Sequence, residues 1–246
     1  MKVIEYGKEN EKVIMLLHGG GLSWWNYKEA AEYLKNDFHV VLPILDGHAD
    51  SDRDFTKIED NAKEIITYID KKFAGSVTFI GGLSLGGQIL VEILSQRADI
   101  CQAALIESAL IFPMKMTHCL VKPMLDMSYG LIKKEWFAKL QFASLKIKTE
   151  LYEAYYRDTC KISKENMTAF LKANSNYQLK ESIHKTKAKV HICVGEKEQK
   201  IMIQSAKKLH EQIKNSSLEI LKGLHHGEYS INYGKEYAEK ITRLLL

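Results

Sequence analysis

The feature that most constrains this chain is an alternation. Short apolar runs rich in β-branched residues are separated by longer segments whose apolar residues recur every three or four positions. The short runs read as buried strands and the longer segments as helices, an order that calls for a mostly parallel sheet flanked by helices. Strands are expected near Val3 to Tyr6, Lys12 to Leu17, His39 to Pro43, Ser76 to Ile80, Cys101 to Ile106, Lys189 to Val194 and Leu218 to Leu221. Between them, Ile58, Ala62, Ile65, Ile66, Ile69 and Phe73 fall on one helical stripe able to pack on the sheet. Trp25 to Lys35, Gly86 to Arg97, Ile201 to Ile213 and Gly234 to Leu246 supply further helices.

From about Phe112 to Ser182 the alternation stops, and helix-like pieces follow that carry Met114, Met116, Met124, Met127, Trp136 and Phe142. The expected organisation is a core of residues 1–111 and 183–246 with a helical cap, 112–182, inserted into it. Pro113 and Pro123 stand at the entry to the insertion, where a fixed φ and a restricted preceding residue predict a turn or a helix break. The Met and aromatic cluster has two readings: the insertion's own core, or an apolar lid that brings Met124, Met127 and Trp136 against a substrate.

At 246 residues with 46% hydrophobic and 27% charged, the chain can bury a full core. Its 35 Lys and Arg exceed its 31 Asp and Glu by only four, spread in short pairs such as Lys71-Lys72 and Lys207-Lys208, which is a solvated surface and argues against a nucleic-acid partner. The stretch from Lys180 to Lys222 is richer in Lys, again as solvation. Cys101, Cys119, Cys160 and Cys193 form no Cys-x-x-Cys pair and read as reduced core thiols of a cytoplasmic protein. No signal peptide is expected, because Glu5 and Lys8 interrupt the first residues. Phe73 to Val91 lacks charge but holds five glycines and several polar residues, so a strand, a turn and a buried helix are expected there and not a membrane span.

The chemistry concentrates at Gly82-Leu83-Ser84-Leu85-Gly86, between a predicted strand and a predicted helix. Gly-x-Ser-x-Gly in that context has the spacing of a nucleophile elbow, a sharp turn that holds a serine hydroxyl above a sheet. Chance would supply roughly 0.1 such matches in a chain of this size, before the flanking elements are required. Upstream, Val13 to Leu17 runs into His18-Gly19-Gly20-Gly21, a glycine loop able to present a backbone N–H to a developing oxyanion. Gly20 is the first candidate for that donor, and Leu85, following the serine at a helix start, is the second. Such a serine needs an imidazole to take its proton and a carboxylate to orient the imidazole.

On these motifs the chain resembles the α/β-hydrolase superfamily, specifically its esterase, lipase and serine-peptidase-like members with a cap after the family's sixth strand, here Cys101 to Ile106. The resemblance covers nearly everything outside the insertion. It implies an acid at Gly195-Glu196-Lys197-Glu198, landing on Glu198, and a base at Gly223-Leu224-His225-His226, landing on His226. Leu45 to Ser51 is similar to the family's Gly-His-Gly-x-Ser loop, with Ala49 in place of a glycine. Glu replaces the commoner Asp at Glu198; Glu196 and Glu107 remain rival acids and His225 a rival base. His18 and His48 are expected to bond backbone, and adjacent His225 and His226 diverge too much to suggest a metal site.

The function implied is hydrolysis of a carboxylic ester or thioester by Ser84, His226 and Glu198 through an acyl-enzyme, without cofactor or metal, on a small-molecule substrate with an acyl group. The same constellation serves amide, C–C and acyl-transfer chemistry, and a non-catalytic binding protein on the same fold is the alternative.

Overall fold

A computed structural model describes residues 1–246. Its strands are β1 (Val3–Tyr6), β2 (Val13–Leu17), β3 (His39–Pro43), β4 (Val77–Leu83), β5 (Cys101–Glu107), β6 (Lys189–Gly195) and β7 (Ser216–Leu221). The helices are α1 (Lys28–Leu34), α2 (Ile58–Lys72), α3 (Leu85–Gln96), α4 (Lys115–Ile132), α5 (Glu135–Ser144), α6 (Tyr152–Lys161), α7 (Lys164–Asn176), α8 (Lys200–Gln212), α9 (Glu228–Asn232) and α10 (Gly234–Leu245).

One seven-stranded sheet runs in the order β1-β3-β2-β4-β5-β6-β7. Only β1, at the edge, is antiparallel to its neighbour; the other pairings are parallel, with β4 at the centre. Strand β2 shows why its residues suit a double-sided core. Val13, Met15 and Leu17 point into the layer formed by α2, α3 and α8, whereas Ile14 and Leu16 point into the layer formed by α1 and α10. The expected α2 stripe is seated accordingly, with Ile58, Ala62, Ile65 and Ile69 buried. Phe73 to Val91 forms the turn after α2, strand β4 and the first half of buried α3. No helix is long and apolar enough to cross a membrane.

Helices α4 to α7 lie between β5 and β6. Pro113 precedes α4, but Pro123 lies inside it and does not break it. Pro123 and Cys119, whose carbonyl it leaves without its helical partner, are both exposed, so that carbonyl can turn to solvent and the helix continues. The thiols differ from expectation too: Cys101 and Cys193 are buried, but Cys160 is half-buried and Cys119 exposed.

Polar bonds tie the insertion's second half to the core. The Trp25 indole donates to Asp158 at 2.9 Å, the Phe55 amide donates to the Asn166 side chain at 2.8 Å, and the Asn174 amide group donates to Gln88 at 2.8 Å.

Candidate active site

Strand β4 delivers Ser84 into a turn with φ 53° and ψ −112°, a region in which a residue with a Cβ is strained. Two backbone bonds hold it there: Ser84 N–H donates to the Glu107 carbonyl at 2.9 Å, and Gln88 N–H donates to the Ser84 carbonyl at 2.8 Å. The flanking glycines are forced by close approach. A Cβ at Gly82 would strike the Gly86 carbonyl, and one at Gly86 would strike the Leu17 carbonyl.

The loop after β7 brings His226 to this turn. Its Nε2 lies 2.9 Å from Ser84 Oγ and its Nδ1 lies 2.7 Å from Glu198 Oε2. In the neutral ring, Nδ1–H donates to the carboxylate and Nε2 accepts from the serine hydroxyl. Glu198, on the loop after β6, has a side chain only 1% exposed. Its other oxygen accepts from Ser108 Oγ at 2.6 Å and from Gly195 N–H at 2.8 Å. Burial by itself would raise this carboxyl, but the bonds from His226, Ser108 and Gly195 outweigh it and hold Glu198 below its ordinary value. Burial works against a charged His226 as well, and the Glu198 carboxylate outweighs that, so the imidazole sits above 6.5.

The glycine loop is fixed by its neighbours. Gly19 N–H donates to the Asn26 side chain at 3.2 Å and Gly21 N–H to His48 Nε2 at 3.0 Å. His48 Nδ1 is bonded to the Asp46 carbonyl, while His18 bridges the Gly19 carbonyl and the Leu45 amide. Both rings therefore bond backbone, and burial lowers both, His48 to about 4. With its two neighbours engaged, Gly20 N–H has no protein acceptor. Leu85 N–H, at the first residue of α3, has none either.

The rival residues stand elsewhere. Glu196 accepts from Gly223 N–H at 2.9 Å, and His225 Nδ1 is 2.9 Å from Glu228. Glu107 is buried behind the site, accepting from Ser230 N–H at 3.3 Å with its second oxygen unpartnered; burial raises it to about 7. No group of three or more His, Cys, Asp or Glu side chains is arranged to hold a metal ion. Ser108, at φ 54° just past β5, escaped the sequence reading. It belongs to no local motif and reaches Glu198 only through the β5–β6 pairing.

A cavity of about 220 Å³ opens over Ser84 and His226. The insertion lines it with Ile132, Leu145, Tyr155, Thr159, Met167 and Phe170. This corrects the expected lining: Met124, Met127 and Trp136 lie on the outer face and are 63%, 86% and 63% exposed. Helical spacing marks an apolar stripe, yet the buried face of α4 is the one carrying Val121, Leu125 and Ile132.

A family model described as serine aminopeptidase, S33, matches residues 8–229. The chain belongs to the S33 family. Among solved structures, members of the same fold superpose over nearly the whole chain. An esterase from Exiguobacterium antarcticum aligns with a TM-score of 0.82 at 18% identity, covering 99% of this chain and 94% of that one. A thermophilic esterase from Thermogutta terrifontis aligns at 0.80 and 14%, covering 100% and 94%. A bromoperoxidase from Bacillus anthracis aligns at 0.83 and 16%, covering 99% and 94%. At these identities the superpositions establish the α/β-hydrolase fold, and the S33 match agrees with it. A comparison with curated protein sequences finds no match.

Proposed function

We propose that this S33-family protein is a serine hydrolase that cleaves esters or thioesters of small to medium apolar acyl groups through an acyl-enzyme, with residues 112–182 as its cap. Ser84 attacks the acyl carbon; His226 Nε2 takes the hydroxyl proton and returns it to the leaving group; Glu198 fixes the imidazole tautomer and balances its charge. The N–H groups of Gly20 and Leu85 hold the oxyanion. The observation that carries this reading is the unbroken relay from Ser84 Oγ to His226 at 2.9 Å and from His226 to Glu198 at 2.7 Å.

The pocket favours an ester over the free N-terminus of a peptide. An aminopeptidase needs a carboxylate to receive the substrate's α-ammonium group, and no Asp or Glu lines the cavity. At about 220 Å³ it is smaller than the roughly 300–1,000 Å³ usual for drug-sized ligands, which suits a short or medium acyl chain.

A fluorophosphonate probe should label the native protein at Ser84, and Ser84→Ala should abolish labelling and lower p-nitrophenyl ester hydrolysis by several powers of ten. Across an acyl series, kcat/KM should rise nearly fourfold per methylene, about 0.8 kcal/mol each, until the pocket is full. Folded native protein that takes no label would instead be a binding protein on this fold.

A further inference from the structure

The wall that the insertion contributes to the cavity over Ser84 carries hydrogen-bonding groups that the protein leaves unused. Apart from Ser84 and His226, which bond each other, the polar side chains lining the cavity are Gln141 of α5 and Tyr155 and Thr159 of α6. Four of the insertion's five tyrosines donate their hydroxyls, Tyr129, Tyr152 and Tyr156 to backbone carbonyls and Tyr177 to Glu92. Tyr155, the one that reaches the cavity, is 8% exposed and donates to nothing. Thr159 is 6% exposed, and its hydroxyl is buried without a partner. A helical threonine commonly bonds the carbonyl one turn back, as Thr168 does to Lys164 at 2.7 Å; Thr159 does not. Four residues apart on one helix face, the Tyr155 and Thr159 hydroxyls are neighbours that do not complete a bond with each other. Gln141 engages only its backbone carbonyl, with Ser144, and its side-chain amide is free.

Buried polar groups are nearly always paired, because an unpaired one costs stability. Two orphan hydroxyls and a free amide on one wall of a catalytic cavity therefore point to a ligand that completes them. That ligand is neutral at this wall, since no Lys, Arg, Asp or Glu lines the cavity. Asp158, between Tyr155 and Thr159 in sequence, is spent on Trp25 and Arg157. The rest of the lining is mainly apolar, with Ile132, Leu145, Met167 and Phe170.

We infer that the acyl group cleaved at Ser84 carries a neutral oxygen, a keto carbonyl or a hydroxyl, on an otherwise apolar chain, and that Tyr155 and Thr159 donate hydrogen bonds to it with the Gln141 amide beside them. One such oxygen has two lone pairs and can accept from both hydroxyls. The inference rests on the ester-hydrolase reading for the bond that is cleaved; the wall itself can be read by binding alone.

Ethyl esters of matched length test it. Ethyl 4-oxopentanoate, 5-oxohexanoate and 6-hydroxyhexanoate are compared with ethyl pentanoate, hexanoate and heptanoate. At least one oxygen-bearing ester should exceed its alkyl partner in kcat/KM by about tenfold or more, although an apolar pocket would prefer the alkyl chain. Monoethyl glutarate, whose carboxylate finds no cation at the wall, should be the poorest substrate. In Tyr155→Phe with Thr159→Val, which keeps the shape of the wall, the oxygen-to-alkyl ratio should fall about tenfold or more. Thr159→Val alone should move it in the same direction. The urea midpoint of the ligand-free double variant should hold or rise, because orphan hydroxyls are removed and not bonds. Alkyl esters preferred at every length overturn the inference and leave the hydrolase reading standing, as does a preference that both variants leave intact. Calorimetric binding to Ser84→Ala separates the two in the other direction. Tighter binding of ethyl 5-oxohexanoate than of ethyl hexanoate there, in a protein whose native form turns over neither, would uphold the wall and remove the hydrolase; equal binding of the two would overturn the wall as well.

Discussion

The carboxyl edge of the sheet and the helical insertion above it are built on different terms. At the edge, backbone geometry dictates residue type: Ser84 at φ 53° needs glycines two places either side, and Glu198 needs the donors of Ser108 and Gly195. In the insertion, packing decides. Helices α4 and α7 lie side by side with comparable apolar residues, yet Met167 and Phe170 of α7 enter the pocket while Met124 and Met127 of α4 face outward. Substitutions at the edge should therefore change rate, and substitutions inside the insertion should change selectivity or stability.

The largest expected effect tests the edge. Glu198→Gln should lower kcat by about 10⁴ and leave the order of preference along an acyl series intact. A reordered series would mean that the edge also sets selectivity. In the unmodified protein, the acid limb of kcat/KM should lie above pH 6.5, because Glu198 raises His226 and only the neutral ring accepts the serine proton.

Phe170 tests whether the two regions are separable. Its ring stacks on His48 at 4.7 Å between centroids, and His48 holds Gly21 N–H. Phe170→Ala should destabilise by about 3–5 kcal/mol in urea unfolding and, in the folded fraction, flatten the chain-length profile. A loss of acetate turnover as large as that of Glu198→Gln would erase the distinction.

Glu107 gives a smaller, pH-dependent effect. The unfolded carboxyl releases its proton near 4.5, whereas the folded one keeps it to about 7. Across that window the folded state binds more protons, so this group lowers stability as pH rises from 4.5 to 7, by about 3 kcal/mol in all. Glu107→Gln should remove that decline, measured as urea midpoints at pH 4.5 and 8, with only mild loss of activity. The smallest effect belongs to the outer face, where Met127→Ser should shift stability by less than about 0.5 kcal/mol.

Much of the edge was legible in the sequence for the same reason that it is rigid. Gly82 and Gly86 are demanded by close backbone approach and Gly21 by its φ of 75°, and each leaves a mark at a fixed spacing. The inner strands were legible because burial on both faces requires continuous apolar runs such as Val13 to Leu17, and the part-buried edge strands β1 and β7 showed as short β-branched runs between turns. Ser108 was not, because its partner is 90 residues away and nothing local requires a serine. The pocket lining was misread because Met124 and Met127 share the period of a buried helix, and the face that packs is chosen by neighbours in space. Pro123 was misread as a break because its cost depends on exposure, which a spacing does not reveal.

The 142 residues between Ser84 and His226 also have a meaning in time. A ribosome adds about 5–20 residues per second, so the serine is made roughly 7 to 30 s before the histidine that would deprotonate it. During that interval its hydroxyl has no more reactivity than any other alcohol. On the proposed reading, Ser84 thus has no general base until the last strand, β7, and the loop after it have been made.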